Sequence, residues 1–156
     1  MKPKIHRTSL QSKTDIWNAV IDVLSNYDLL TAEDLQKENF ILFQYYSELE
    51  SGGHESLLNW WEFYINEVGI DNYLNELIGI LEKIGAHEYA SIEKRYGSEM
   101  WNLYVALEND EIEVDAFYKV IEKANDEYDK LNNKLDKLLE EHFITIHTNI
   151  IDVIED

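Results

Sequence analysis

The amino-acid sequence predicts an all-α protein: a single-domain bundle of about six to seven helices with a long C-terminal helix. Three observations carry that prediction. Apolar residues recur with the 3.6-residue helical period almost without interruption, while strand-like alternation is nearly missing. The one proline stands at position 3, so none interrupts a helix interior, and six glycines act as punctuation. Hydrophobic residues make up 45% of the 156 positions and aromatics 12%, enough to fill one core.

The elements follow in order. Residues 14–28 read as a first helix, with Thr14 as N-cap and Trp17, Val20, Ile21, Leu24 and Tyr27 along one face. Thr31-Ala32-Glu33-Asp34 starts a second in capping-box style. Its apolar side is Leu35, Ile41, Leu42, Tyr45, Tyr46 and Leu49, and Gly52-Gly53 ends it. A third helix runs from about His54 to Asn66, before Gly69. A fourth runs from Asp71 to Gly85, with Leu74, Leu77, Ile78 and Leu81 inward. A fifth covers about Ala86–Arg95 and a sixth about Ser98–Leu107.

The last helix is expected to be the longest, from about Glu111 to Glu141. Val114, Phe117, Ile121, Ala124, Tyr128, Leu131, Leu135 and Leu138 step by three and four, a heptad-like seam. Residues Phe143–Ile154 continue apolar. Their β-branched residues favour a strand locally, but no second strand is evident to pair with one, so helix is the reading adopted.

Charge is the outlier: 32 acidic residues face 13 basic ones, a net charge of −19. Residues 1–13 hold Lys2, Lys4, Arg7 and Lys13 and no acid, and read as a basic N-terminal arm. Residues 14–156, read as one acidic domain, keep nine basic and 32 acidic side chains. Such a surface repels nucleic acid and anionic lipid and attracts basic proteins. Cysteine is absent, which excludes disulfide and thiol chemistry and fits a cytoplasmic location. The basic N-terminus is followed by no apolar run, so it does not read as a signal peptide, and no apolar stretch is long enough to span a bilayer.

Two acidic constellations stand out. Glu108, Glu111, Asp115, Lys119, Glu122, Asp126, Asp129, Asn133, Asp136 and Glu140 are spaced by three or four throughout. On one helix they would form a stripe nearly opposite the apolar seam. Such a stripe is either the solvated face of an amphipathic helix, with Lys123, Lys130, Lys134 and Lys137 close by, or an imitation of a row of phosphates. Eight carboxylates over that length give about one charge per 6 Å of helix, against about one per 3.4 Å along a DNA strand. Mimicry would therefore need a second acidic surface or a dimer. The second constellation is Glu38, Glu48, Glu50, Glu55, Glu62, Glu67, Asp71, Glu76 and Glu82, with no Lys or Arg between them. Only a distant basic segment, such as the N-terminus, could neutralise it.

Catalytic and metal-binding patterns are missing. His54-Glu55 and His87-Glu88 open like a zinc-protease helix, but Leu58 and Ser91 stand where the second histidine belongs. No phosphate loop, nucleophile elbow or EF-hand loop occurs. The histidines read as surface or core-edge residues, and no catalytic residue, cofactor or metal is expected. In Trp60-Trp61-Glu62-Phe63-Tyr64, Trp60, Phe63 and Tyr64 can share a face. Trp61 is then left on another side, either in a wide core or as an anchor for a protein interface.

The stretch Tyr45-Tyr46-Ser47-Glu48-Leu49-Glu50-Ser51-Gly52-Gly53-His54-Glu55-Ser56-Leu57-Leu58 resembles the signature of the bacterial DNA-mimic-protein-like family. That signature is an acidic residue, Asn-Gly-Gly, an aromatic or His, then an aromatic pair. Ile84-Gly85-Ala86, Tyr128-Asp129-Lys130-Leu131 and Leu138-Leu139-Glu140-Glu141-His142-Phe143 are also similar to family segments, and the likeness spans about 38–154. The sequence departs from the pattern at Leu57-Leu58, where aromatics are usual, and over 59–69. The resemblance implies a helical acidic domain, in one member a dimer that occupies the DNA-binding surface of a transcription factor.

The expected function is therefore that of an acidic binding protein sequestering a basic, DNA-binding protein through a phosphate-like carboxylate surface. The residues expected to present that surface are Glu48, Glu50, Glu55, Glu62, Glu67, Asp71, Glu76, Glu111, Asp115, Glu122, Asp126, Asp129, Asp136 and Glu140, with Trp61 as the interface anchor. No direct nucleic-acid or membrane contact is expected, and the apolar segment 143–154 allows a homodimer. Two alternatives stay open: an immunity or antitoxin-type protein neutralising a basic toxin nuclease, and a helical domain with a housekeeping role.

Overall fold

Ser12, not Thr14, starts the first helix. Its hydroxyl accepts from the Asp15 amide at 3.1 Å, and the Asp15 carboxylate accepts from the Ser12 amide at 3.2 Å. This reciprocal capping box fixes α1 at Lys13–Ser25. The computed structural model describes residues 2–26 and 34–155. The expected positions of Tyr27, of the Thr31 helix start and of the Leu35 side chain lie outside the described residues. Five further helices follow: α2 (Asp34–Val68), α3 (Ile70–Lys83), α4 (His87–Glu108), α5 (Val114–Asp129) and α6 (Lys134–Ile150). The fold is all-α, as the periodicity predicts.

Glycine decides two features. The expected break after Leu49 is present as a kink inside α2, where Gly52 (φ −156°, ψ 16°) and Gly53 (φ 70°, ψ −160°) leave helical geometry. A Cβ on Gly53 would meet the Asn125 amide at 2.7 Å, so both its positive φ and its space require glycine. Gly97 works the other way. The sequence places a boundary there, but α4 runs straight through it, and the glycine is explained by packing: a side chain at 97 would lie 2.7 Å from Leu74 of α3. A mid-helix glycine costs about 1 kcal/mol against alanine, and the close approach of α3 to α4 offsets that.

The long C-terminal helix is not formed. Asn132 (φ 53°) and Asn133 (φ 61°) adopt left-handed backbone, which turns the chain between α5 and α6. Asparagine tolerates that region better than other residues with a side chain. The apolar seam survives only in part: Phe117, Ile121, Ala124, Tyr128 and Leu135 are buried, Leu131 and Leu138 are half-buried, Val114 at its start is exposed, and beyond the turn Leu139 takes the buried place expected of Leu138.

The C-terminal reading also changes. α6 ends at Ile150, Ile151 is extended (φ −123°, ψ 137°), and Asp152–Ile154 form a strand, β2. Its partner is β1 (Lys4–His6), in parallel register Lys4↔Asp152, Ile5↔Val153 and His6↔Ile154. Arg7 adds an ion pair to Glu155 at 2.7 Å. The missing second strand thus comes from the other end of the chain, and the basic N-terminal segment pairs there instead of folding over the central acids.

The kinked α2 packs on α1, α3, α5 and α6, α4 lies between α3 and α5, and α1 rests on α6. One core joins them. It includes Phe40, Tyr45, Leu57, Leu58, Trp61, Ile65, Tyr73, Leu77, Leu81, Tyr89, Phe117 and Phe143. After the kink, the inward positions of α2 are Leu58, Trp61 and Ile65, at helical spacing.

Candidate functional site: a hydroxyl-fixed acidic seam

Helix α2 carries Glu48, Glu50, Glu55, Glu62 and Glu67, and four of these meet hydroxyl groups. Ser56 donates to Glu48 across the kink. From α5, Tyr128 donates to Glu50 at 3.2 Å and Tyr118 to Glu55 at 2.8 Å. From the end of α4, Tyr104 donates to Glu62 at 2.7 Å. On α3, Glu76 accepts from Tyr64 at 2.7 Å. These partners are 42 to 78 positions away for the three inter-helix tyrosines. A neutral hydroxyl holds a carboxylate in place without cancelling its charge. The tyrosines register those charges. Burial, then Glu62, push the Tyr104 hydroxyl above its ordinary pKa. Burial, then Glu50, do the same for Tyr128, and the hydrogen bond to Glu55 does so for Tyr118.

The cations meet only part of the central run. Lys37 pairs with Glu76 at 3.0 Å, Lys83 with Glu38 at 3.3 Å and Lys94 with Glu82 at 2.6 Å. Among the described residues, Glu48, Glu50, Glu55, Glu62, Glu67 and Asp71 have no basic partner. Glu67 is exposed near the C-terminal end of α2, and Asp71 is exposed in the first turn of α3.

The stripe from Glu108 to Glu140 is divided. Glu108 ends α4 and Glu111 lies in the following loop. Asp115, Glu122, Asp126 and Asp129 are exposed on α5. Beyond the left-handed turn, Asp136 and Glu140 instead line a cavity of about 220 Å³ with Thr14, Trp17 and Tyr46, between α6, α1 and α2. A single straight row of carboxylates is therefore not formed. Asp126 also borders a groove of about 580 Å³ between α4 and α5, where Arg95, Lys123 and Lys130 gather beside Glu88 and Glu127. That edge of α5 is mixed in sign.

Trp61 is not an interface anchor. It is fully buried against Phe40, Trp60, Tyr64 and Tyr73. The kink resets the helical phase so that 58, 61 and 65 face inward, which turns Phe63 (76% exposed) and Trp60 (43%) to the surface. The wide-core alternative for Trp61 holds, whereas Trp60 and Phe63, expected to share the core face with Tyr64, are exposed. The tyrosine partners were also missed, although ten tyrosines against five phenylalanines in an acidic chain is a visible signal for hydroxyl pairing.

His54 departs from its expected surface or core-edge position. Directly after the kink, it is fully buried beside Glu93, itself 1% exposed. Among the described residues, no group of three or more His, Cys, Asp or Glu is placed to hold a metal ion. No described helix is long and apolar enough to cross a membrane.

Neither the curated proteins nor the solved structures give a match to this chain. A family model does. The DMP19-like protein model matches residues 30–152, which take in the kink, the acidic seam and both C-terminal helices, and the chain belongs to that family.

Proposed function

We propose that the protein is an acidic binding protein that sequesters a basic, DNA-binding protein, its carboxylates taking the places that phosphates take on DNA. The single observation that supports this most is the seam along α2. Glu48, Glu50, Glu55 and Glu62 lack a basic partner among the described residues and are held by hydroxyl groups. Fixed charges bind better than mobile ones, because less side-chain freedom is lost on association. The exposed acids of α5, Asp115, Glu122, Asp126 and Asp129, supply a second row, and Glu67, Asp71 and Glu111 extend the field. Trp60 and Phe63, on either side of Glu62 in the sequence of α2, and Val114 at the start of α5 are exposed apolar side chains that a partner can reach. Family membership supports a DNA-mimic role over a catalytic one. The setting proposed is the cytoplasm, and a homodimer would double the acidic surface.

The test is capture from host lysate at low salt, followed by elution in a salt gradient and competition with DNA. A basic DNA-binding protein should elute as salt rises, and the acidic protein should displace DNA from it. Charge-steered association is fast and weakens with ionic strength. A triple Glu50→Gln, Glu55→Gln, Glu62→Gln variant should bind that protein more weakly and with a shallower salt dependence. Affinity unchanged between low and physiological salt, or DNA left undisplaced, would refute the reading.

A further inference from the structure

The enclosed cluster at the kink permits a count of protons. Asn125 Oδ1 accepts the backbone N–H of His54 at 2.9 Å, which identifies that atom as the oxygen, since an NH₂ group there would set donor against donor. The same oxygen lies 2.7 Å from His54 Nδ1, so Nδ1 carries a proton. On the far side of the ring, Nε2 lies 2.7 Å from Glu93 Oε2, an oxygen that also accepts from the Tyr45 hydroxyl at 3.2 Å. A contact that short between a ring nitrogen and a carboxyl oxygen requires one proton between them. Whether that proton is drawn on His54 or on Glu93, the pair is neutral overall and holds one proton more than a neutral histidine beside a carboxylate. Without it, two lone pairs would face each other across 2.7 Å in a site closed to water.

We propose that this enclosed proton is a lock on the α2 kink: it ties the second half of α2 to α4 through Glu93 and to α5 through Asn125, and its loss lets the two halves of α2 change their angle. The place matters because Gly52 and Gly53 supply no side-chain packing of their own and Gly53 rests on Asn125. Glu50 and Glu55 flank the break, so its angle sets their relative position.

The titratable groups facing His54 come from every neighbouring element. They are Tyr45 from α2, Glu93 from α4 and Asp129 from α5, with Tyr73 from α3 and Tyr128 from α5 next to Tyr45 and Glu93. Burial opposes charge on the ring. The Glu93 carboxylate, its hydrogen bond, the Asn125 bond and the more distant Asp129 outweigh it, and His54 is raised above its ordinary pKa. The pair therefore keeps its proton to higher pH than a free histidine would. Its contribution is fully present below the unfolded histidine value of about 6.5 and is lost as pH rises through the folded one.

Two measurements on the full chain test this. In ¹⁵N-histidine spectra at pH 6, Nδ1 of His54 should be an N–H species and Nε2 should share a hydrogen-bonded proton with Glu93, both in slow exchange with water. Because the chain has no cysteine, spin labels at Gln44→Cys and Asn66→Cys report the distance between the two halves of α2. That distance should be single-valued at pH 6, and a second population should grow as pH rises, with the midpoint of the titration of the His54–Glu93 pair. Glu93→Gln should lower that midpoint by about one pH unit or more, a tenfold loss of proton affinity, and the distance change should move with it. An Nε2 that shares no proton with Glu93 at pH 6 overturns the proposal, as does a distance that stays constant while the pair titrates. If Glu93→Gln does not fold, the two measurements on the otherwise native chain still decide.

Discussion

The hydroxyl of Tyr104, on α4, donates to the carboxylate of Glu62, on α2, across 2.7 Å and 42 positions of chain. The contact joins two helices and holds a charge near the surface without neutralising it. Tyr104→Phe removes the donor and leaves the ring. Loss of a hydrogen bond to a charged, partly buried acceptor should cost about 1–2 kcal/mol, readable as a lower urea midpoint with an unchanged slope. An unchanged midpoint would mean that the pair contributes nothing.

Gly97 separates two opposed expectations. Helix propensity says that Gly97→Ala stabilises by about 1 kcal/mol. The 2.7 Å approach of Leu74 says that the added methyl overpacks the α3–α4 contact and destabilises by about 1–3 kcal/mol. The packing term should win, because position 97 is buried. Equilibrium denaturation gives the sign directly.

Trp61 and Phe63 should behave in opposite ways. Trp61→Ala opens a cavity in a fully closed aromatic cluster and should cost about 3–5 kcal/mol. Phe63→Ala removes a side chain that is 76% exposed and should change stability by no more than about 0.5 kcal/mol. Comparable losses for the two would put Phe63 in an interface already formed by the isolated protein.

His142 has the opposite pH sign to His54. Burial, then the charge of Lys83, lower its pKa, while Glu38 opposes the shift, and its Nε2 lies 2.8 Å from Asn39 Oδ1. Its stabilising contribution is present above the unfolded value of about 6.5 and is lost as pH falls through the folded value. His142→Gln should therefore flatten the decline in stability on the acid side of neutrality. A denaturation midpoint followed from pH 8 to pH 5 in both proteins checks it.

Much of the molecule is determined locally and was legible in the sequence. The 3.6-residue period marks the helices, and Gly52-Gly53 marks the kink, because turn geometry depends on the residues that make it. The acidic residues and their excess over cations are matters of composition. Tertiary structure decided the rest, in each case because a distant partner sets the outcome. Gly97 reads as a boundary until Leu74 is seen beside it. Asp152–Ile154 has no strand partner nearby in sequence, and finds one at Lys4–His6. Trp60 and Phe63 leave the core face expected of them, and Trp61 takes the buried place, because the kink changes the helical phase. Glu50, Glu55 and Glu62 are only charges in the sequence. They become a fixed seam when Tyr128, Tyr118 and Tyr104 arrive from other helices. His54, which reads as an unremarkable polar residue, becomes the enclosed centre of a proton-closed network once Glu93 and Asn125 are brought to it. Local periodicity records which residues must be buried, whereas the partner of each buried polar group is fixed only when the helices dock.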